Sequence, residues 1–287
     1  MAADLAPANR HDELGTMLRS LNLSHTAKSF ADLALRASKA NWTHEAFLHE
    51  VVRQECEYRR QRRAARLLHQ SGLPREKTFR TFQLEPLSPT LRLHVERLRS
   101  GSFLEEATNV IAVGKPGAGK SHLLAALGHD LVALGHPVCW TSTAALVQRL
   151  LAAKRDLRLP QELAKLDRFA CVFLDDIGYV QQDRDEMEVL FTFLAERYER
   201  RSVAITTNLV FSEWERIFKH PMTTLAAIDR VVHHAVILDM TAIESFRAKA
   251  AQQTQTLAAP DRSSEAVLAA PVAAARLPAG GGNETNT

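Results

Sequence analysis

Cysteine is scarce in this chain. There are 3 in 287 residues, at positions 56, 139 and 171, far apart and odd in number. That excludes a disulfide framework and a Cys-x-x-Cys metal site. Cys139 and Cys171 lie in apolar, strand-like runs and read as buried free thiols, which fits a reducing cytoplasm. Long hydrophobic runs are missing as well. None approaches the roughly 20 residues needed to span a bilayer, so no membrane role is expected. The opening Met1-Ala2-Ala3-Asp4-Leu5-Ala6-Pro7 has no basic segment followed by an apolar core, so no secretion signal is expected and the cytoplasm is the expected location. Large net charge is the third absence: the sum is only +3. The distribution is uneven, however. Arg53 to Arg80 holds nine Arg or Lys against three Glu. Such local asymmetry points to an anionic partner for the front of the protein.

What the chain does have is a contiguous phosphate-binding signature, Gly114-Lys115-Pro116-Gly117-Ala118-Gly119-Lys120-Ser121, which fits G-x-x-x-x-G-K-S/T. Gly114 and Gly119 let the backbone curl close to a polyphosphate with no Cβ in the way. The inward N–H groups cradle phosphate oxygens. Lys120 adds a point charge, and the Ser121 hydroxyl is a Mg²⁺ ligand. The apolar run 109–113 before the loop reads as a buried strand. The stretch from Ser121 and His122 onward reads as a helix whose positive end faces the phosphates. ATP and Mg²⁺ are therefore the expected ligands.

From residue 109 onward strand and helix patterns alternate, which predicts a parallel sheet with helices on both faces. The expected strands are 109–113, 137–141, 169–174, 202–207 and 235–239, with helices at about 120–134, 143–154, 184–199 and 223–233. The third strand runs into Asp175-Asp176. An acid at the carboxyl end of an apolar strand is the Walker B arrangement, so Asp175 is assigned to Mg²⁺ and Asp176 to polarising an attacking water. Many such ATPases carry Glu in place of Asp176. The shorter side chain predicts hydrolysis that is slow or depends on a partner. Asn208, after the fourth strand, is the candidate sensor of the γ-phosphate, the alternative being a turn-forming Asn. Arg230, before the last strand, is a candidate arginine finger into a neighbouring subunit, the alternative being a salt bridge with Asp229 or Glu213. Arg247 is a weaker candidate for reaching the phosphates in cis. His233-His234 does not read as a metal site, because adjacent residues diverge and no third ligand is evident.

In front of this module, 13–72 reads as an all-helical domain after a flexible stretch 1–12. Leu14, Met17, Leu18 and Leu21 recur at helical spacing, Lys28 to Ala40 reads similarly, and a long helix from about 44 to 70 is capped by Thr43 and stopped by Gly72 and Pro74. Arg59, Arg62, Arg63 and Arg66 fall within roughly a 100° arc of it. Four guanidiniums on one face suit a DNA or RNA backbone, or else a solvated face paired with acids elsewhere. Residues 73–108 read as a linker with a short helix at 91–98. In it Phe79 and Phe82 read as core residues, with the nucleotide base as an alternative neighbour. The ATPase module closes at 250, and 251–287, rich in Ala, Pro, Gly, Ser and Thr, reads as a disordered tail.

With these residues in view, the chain resembles the IstB family of insertion-sequence helper proteins, AAA+ ATPases close to the DnaC-type helicase loaders. The resemblance covers about 13–250. Besides the loop and Asp175-Asp176 it rests on Phe47-Leu48 through Leu73-Pro74, Leu174 to Tyr179, Arg197-Tyr198-Glu199-Arg200-Arg201-Ser202, Thr206-Thr207-Asn208-Leu209, Ser212-Glu213-Trp214, Asp229-Arg230-Val231-Val232-His233-His234 and Ser245-Phe246-Arg247. It implies an AAA+ P-loop NTPase with a five-stranded parallel sheet, preceded by a small helical domain. It further implies ATP-dependent homo-oligomers on double-stranded DNA, with ATP sites between subunits, that recruit a separate transposase. Arg247 would then be a second sensor. Phe246 stands where the family often has Tyr, and Lys115 where an uncharged residue is commoner. A replicative helicase loader, a small-molecule P-loop kinase and a non-hydrolysing nucleotide-bound scaffold are the alternatives.

Overall fold

The computed structural model describes residues 7–179, 184–209 and 231–246. Five parallel strands form the centre: β1 (Asn109–Val113), β2 (Val138–Ser142), β3 (Cys171–Asp175), β4 (Ser202–Thr207) and β5 (Ala235–Asp239), in the order β2-β3-β4-β1-β5. β4 thus lies between the loop-bearing β1 and the acidic β3. The register sets Ala112 beside Thr206 and Ser142 beside Asp175. Every residue of β1 and β4 is buried, as the near-continuous apolar runs require when helices cover both faces.

One core layer holds Leu123, Leu124, Leu127, Leu131 and Phe173 against α4 (Pro89–Arg99) and α5 (Lys120–Ala133). The other holds Ile111, Leu146, Leu150, Leu190 and Phe193, drawn with the sheet from α6 (Thr143–Arg155) and α8 (Arg184–Arg197). Strands β2 and β3 begin one and two residues later than expected. Phe169 and Ala170 do not extend the strand. The Arg197 guanidinium instead grips the carbonyls of Leu166, Phe169, Ala170 and Ser202, at 2.9 to 3.4 Å. This arginine is 2% exposed, and burial pushes its ionisation down to about 10. Helix α7 (Leu159–Leu166) was not foreseen. Its signal was Pro160 in a first turn, followed by Leu163 and Leu166.

Ahead of the sheet stand α1 (Pro7–Ser20), α2 (Thr26–Lys39) and α3 (His44–Ser71). α1 begins inside the stretch expected to be a flexible start. Thr43 caps α3, its Oγ1 accepting from the Ala46 N–H, and Gly72 ends it in the left-handed region. The boundary expected at 72 is packed, not open. Leu67 and Leu68 of α3 lie against the core around α5, and Leu73 belongs to it. A Cβ on Gly72 would come within 2.9 Å of the Trp140 carbonyl of β2, and one on Gly128 of α5 within 2.7 Å of Leu73. Helix α3 is therefore joined to the nucleotide-binding module along its carboxyl half. No helix among the described residues is long and apolar enough to cross a membrane.

Candidate nucleotide-binding site

The loop 114–119 joins β1 to α5, so the sheet aims it and the helix dipole faces it. Gly114 is held by its N–H donating to Thr207 O at 3.2 Å, and it passes so close to Met240 that a Cβ would lie 2.8 Å from that carbonyl. Gly117 and Gly119 have φ of +83° and +90°. Ser245 presses on Gly117 where a Cβ would be, and the Phe246 N–H donates to Gly117 O at 3.0 Å. The rings of Phe82 and Phe246 both approach Gly119. The Lys120 ammonium folds back over the loop, donating to Gly114 O at 2.7 Å and Lys115 O at 3.0 Å. His122, one residue into the helix after Ser121, accepts or donates at Thr81 Oγ1 and approaches Thr78 O at 3.2 Å. Burial lowers its basicity.

The acidic pair lies opposite. The Ser121 hydroxyl donates to Asp175 Oδ1 at 2.6 Å, and the Thr206 hydroxyl donates to the same oxygen at 2.7 Å. Thr206 in turn accepts from the Asp176 N–H at 2.8 Å. Asp176 has φ of +63°, the left-handed region that Asp tolerates better than most residues. Partial burial, then the charge of Asp175, raises its carboxyl above the ordinary aspartate range, and Lys120 opposes them. Asn208 is half-buried and its Oδ1 has no hydrogen-bond partner among the described residues; a Cβ on Gly178 would come within 2.5 Å of it.

The structure therefore brings together the loop, Lys120, Ser121, Asp175 and Asp176, with Asn208 beside Gly178, two residues past the acids. Arg230 and Arg247 lie outside the described residues. Thr206, Met240, Ser245 and Phe246 were not assigned to the site by sequence reading. Thr206 had one signal, since alternation along a strand puts it on the same side as Asn208. Of the two linker phenylalanines, Phe82 is buried by the loop, while Phe79 stacks on the Arg99 guanidinium, 4.5 Å from its ring centre. His233 and His234 contact one another, and no metal-holding cluster occurs among the described residues. On α3, Arg59 pairs with Glu55, while Arg62, Arg63 and Arg66 are exposed.

The donor set suits a nucleotide with Mg²⁺. A hydroxyl and a carboxylate oxygen converge at the loop's end, as a hard cation requires, leaving other positions for phosphate and water.

A family model described as IstB-like ATP binding protein matches residues 16–254. An insertion sequence ATP-binding protein of Sinorhizobium fredii is 40% identical over 243 residues, 84% of this chain and 81% of that one. The IS21 insertion sequence ATP-binding protein of Pseudomonas aeruginosa is 34% identical over 237 residues, 83% of this chain and 89% of that one. Among solved structures, AMPPCP-bound DnaA from Aquifex aeolicus matches with a TM-score of 0.50 at 16% identity, over 65% of this chain and 57% of that one. DnaI matches with a TM-score of 0.50 at 16% identity, over 59% and 95%. These likenesses identify the fold as a P-loop NTPase of AAA+ type preceded by a helical region.

Proposed function

The chain belongs to the IstB-like ATP-binding protein family, and from that premise we propose that it is an ATP-hydrolysing, DNA-binding factor that assists a separate transposase in insertion-sequence transposition. One observation carries the hydrolytic part. The hydrogen-bonded chain from Ser121 through Asp175 Oδ1 and Thr206 to the Asp176 N–H fixes the Asp175 carboxylate and the Asp176 backbone relative to the loop. Backbone N–H groups of the loop, those of Gly117 and Gly119 among them, bind the phosphates, and Lys120 exchanges the carbonyls of Gly114 and Lys115 for phosphate oxygens. Ser121 and Asp175 would hold Mg²⁺, which neutralises charge on the β- and γ-phosphates when bound. Asp176 orients a water and accepts its proton, a role served by a carboxyl of raised proton affinity. The buried Asn208 Oδ1 offers an acceptor to that water's second hydrogen.

Arg230 is the finger supplied to a neighbouring subunit's ATP. Arg247 serves as second sensor. Double-stranded DNA is the anionic partner of the helical region and the transposase the protein partner, as the names of the relatives suggest.

The test is assembly on random-sequence duplex DNA, followed by light scattering, for wild type and Lys120→Ala. Large complexes that need both ATP and DNA, and that the variant does not form, are expected. A protein that binds ATP but stays monomeric and indifferent to DNA overturns the reading.

A further inference from the structure

The four arginines of α3 are not equivalent. They line an open groove of about 360 Å³ between α3 and the turn joining α1 to α2. Arg59 is tied to the fold on one side, although its side chain is 53% exposed: Nε donates to Glu55 Oε1 at 3.0 Å and Nη2 to Asn22 O at 2.7 Å. Glu55 is 4% exposed, and its other oxygen accepts from the Thr26 N–H and hydroxyl, both at 2.9 Å. One buried carboxylate thus ties Arg59, α3 and the start of α2 together. The charge of Arg59 is paired, and two of its three nitrogens are engaged.

Arg62 and Arg66 differ. Both line the groove, both are exposed, and no carboxylate lies within ion-pair distance of either among the described residues. Arg62 lies over the ring of Tyr58, 5.7 Å from its centre, and Tyr58 stacks on His25, so its direction is set by packing. Four residues separate it from Arg66, about 6 Å along the helix. Two guanidiniums at that separation can take successive phosphates of one strand. Arg63 also lines the groove, but its guanidinium lies close to Gly135, just past the end of α5.

We propose that this groove is a backbone clamp for one strand of duplex DNA, with Arg62 and Arg66 on adjacent phosphates and Arg59 a positioning residue that touches none. The proposal rests on the DNA-binding reading above and assigns its contacts. Phosphate contacts carry no base information, so binding through the groove is indifferent to sequence.

The experiment is fluorescence anisotropy of full-length protein on labelled random-sequence duplex DNA over a series of salt concentrations. Each neutralised phosphate contributes about 0.9 to the slope of log K against log salt. Arg62→Gln with Arg66→Gln should reduce the slope by about 1.8, and the two Lys substitutions should restore it. Arg59→Gln should leave the slope unchanged even if it weakens binding. A slope unchanged in the double variant, or reduced by Arg59→Gln, overturns the clamp while leaving DNA binding intact. Failure of the wild type to bind DNA overturns the underlying reading and the clamp with it. Matching circular dichroism of the variants establishes that the fold is kept.

Discussion

Thr206 shows what a single hydroxyl does here. It donates to Asp175 and accepts from the Asp176 N–H, so it ties the Asp175 carboxylate to the Asp176 backbone. Thr206→Val keeps the shape of the buried strand and removes both bonds. ATP binding should survive, while hydrolysis should fall by a factor of about ten to a hundred, measured as phosphate release at saturating ATP, the loss expected when catalytic groups shift slightly. The cysteines give a second expectation at this scale. Cys56 is exposed, whereas burial raises the Cys139 thiol and pushes the Cys171 thiol up to about 12. Only the thiolate reacts quickly. A thiol reagent at neutral pH should therefore label one cysteine promptly, identified by mass spectrometry as Cys56, with the other two following only on unfolding. Prompt labelling of Cys171 would contradict the packing. At this scale the sequence was legible where the site is contiguous, at Gly114 to Ser121. Thr206 carried only the signal of strand alternation, and Met240 and Phe246 carried none, because it is register across parallel strands that brings residues some 90 to 130 positions apart to one loop.

Helix α3 carries two expectations as an element. Glu55 anchors it. Burial works to raise that carboxyl, but the hydrogen bonds from Thr26 and Arg59 outweigh it and hold the group below its ordinary value. A carboxyl lowered by folding contributes stability above its unfolded pKa, and that contribution is lost as pH falls through the folded one. Glu55→Gln should therefore cost about 1–3 kcal/mol at neutral pH, and the difference from wild type should shrink in acid, read from urea midpoints between pH 7 and pH 3. Gly72 is the other expectation. Ala there meets both a φ of +70° and the Trp140 carbonyl, so Gly72→Ala should lower the melting temperature clearly, by about 1–3 kcal/mol of stability. Periodicity identified the helices better than their burial. Leu14, Met17 and Leu21 recur as a core stripe should, yet they are 43%, 53% and 67% exposed. The 3.6-residue period shows that a helix has an apolar side, and says nothing about which partner covers it.

For the molecule as a whole, the sequence showed two halves, one basic and helical, one strand-helix alternating. It did not show that they share a core. That follows from Leu67, Leu68 and Leu73, whose apolar character is equally consistent with a small separate bundle. The shared core predicts one cooperative unfolding transition, in place of an early loss of helix, when circular dichroism and tryptophan fluorescence are compared in denaturant. Two separated transitions would mean that the α3 junction opens on its own.

Helix α5 runs from Lys120 at the loop to a turn at Gly135 on which Arg63 rests. Its 14 residues make a strut about 21 Å long. A stiff strut pivoting at one end magnifies angle into travel. A tilt of about 5° at the phosphate end displaces the far end by roughly 2 Å. A tilt of that size, were the loop's occupant to cause one, would carry the turn on which Arg63 rests, and so reach α3 with no hinge between the two places.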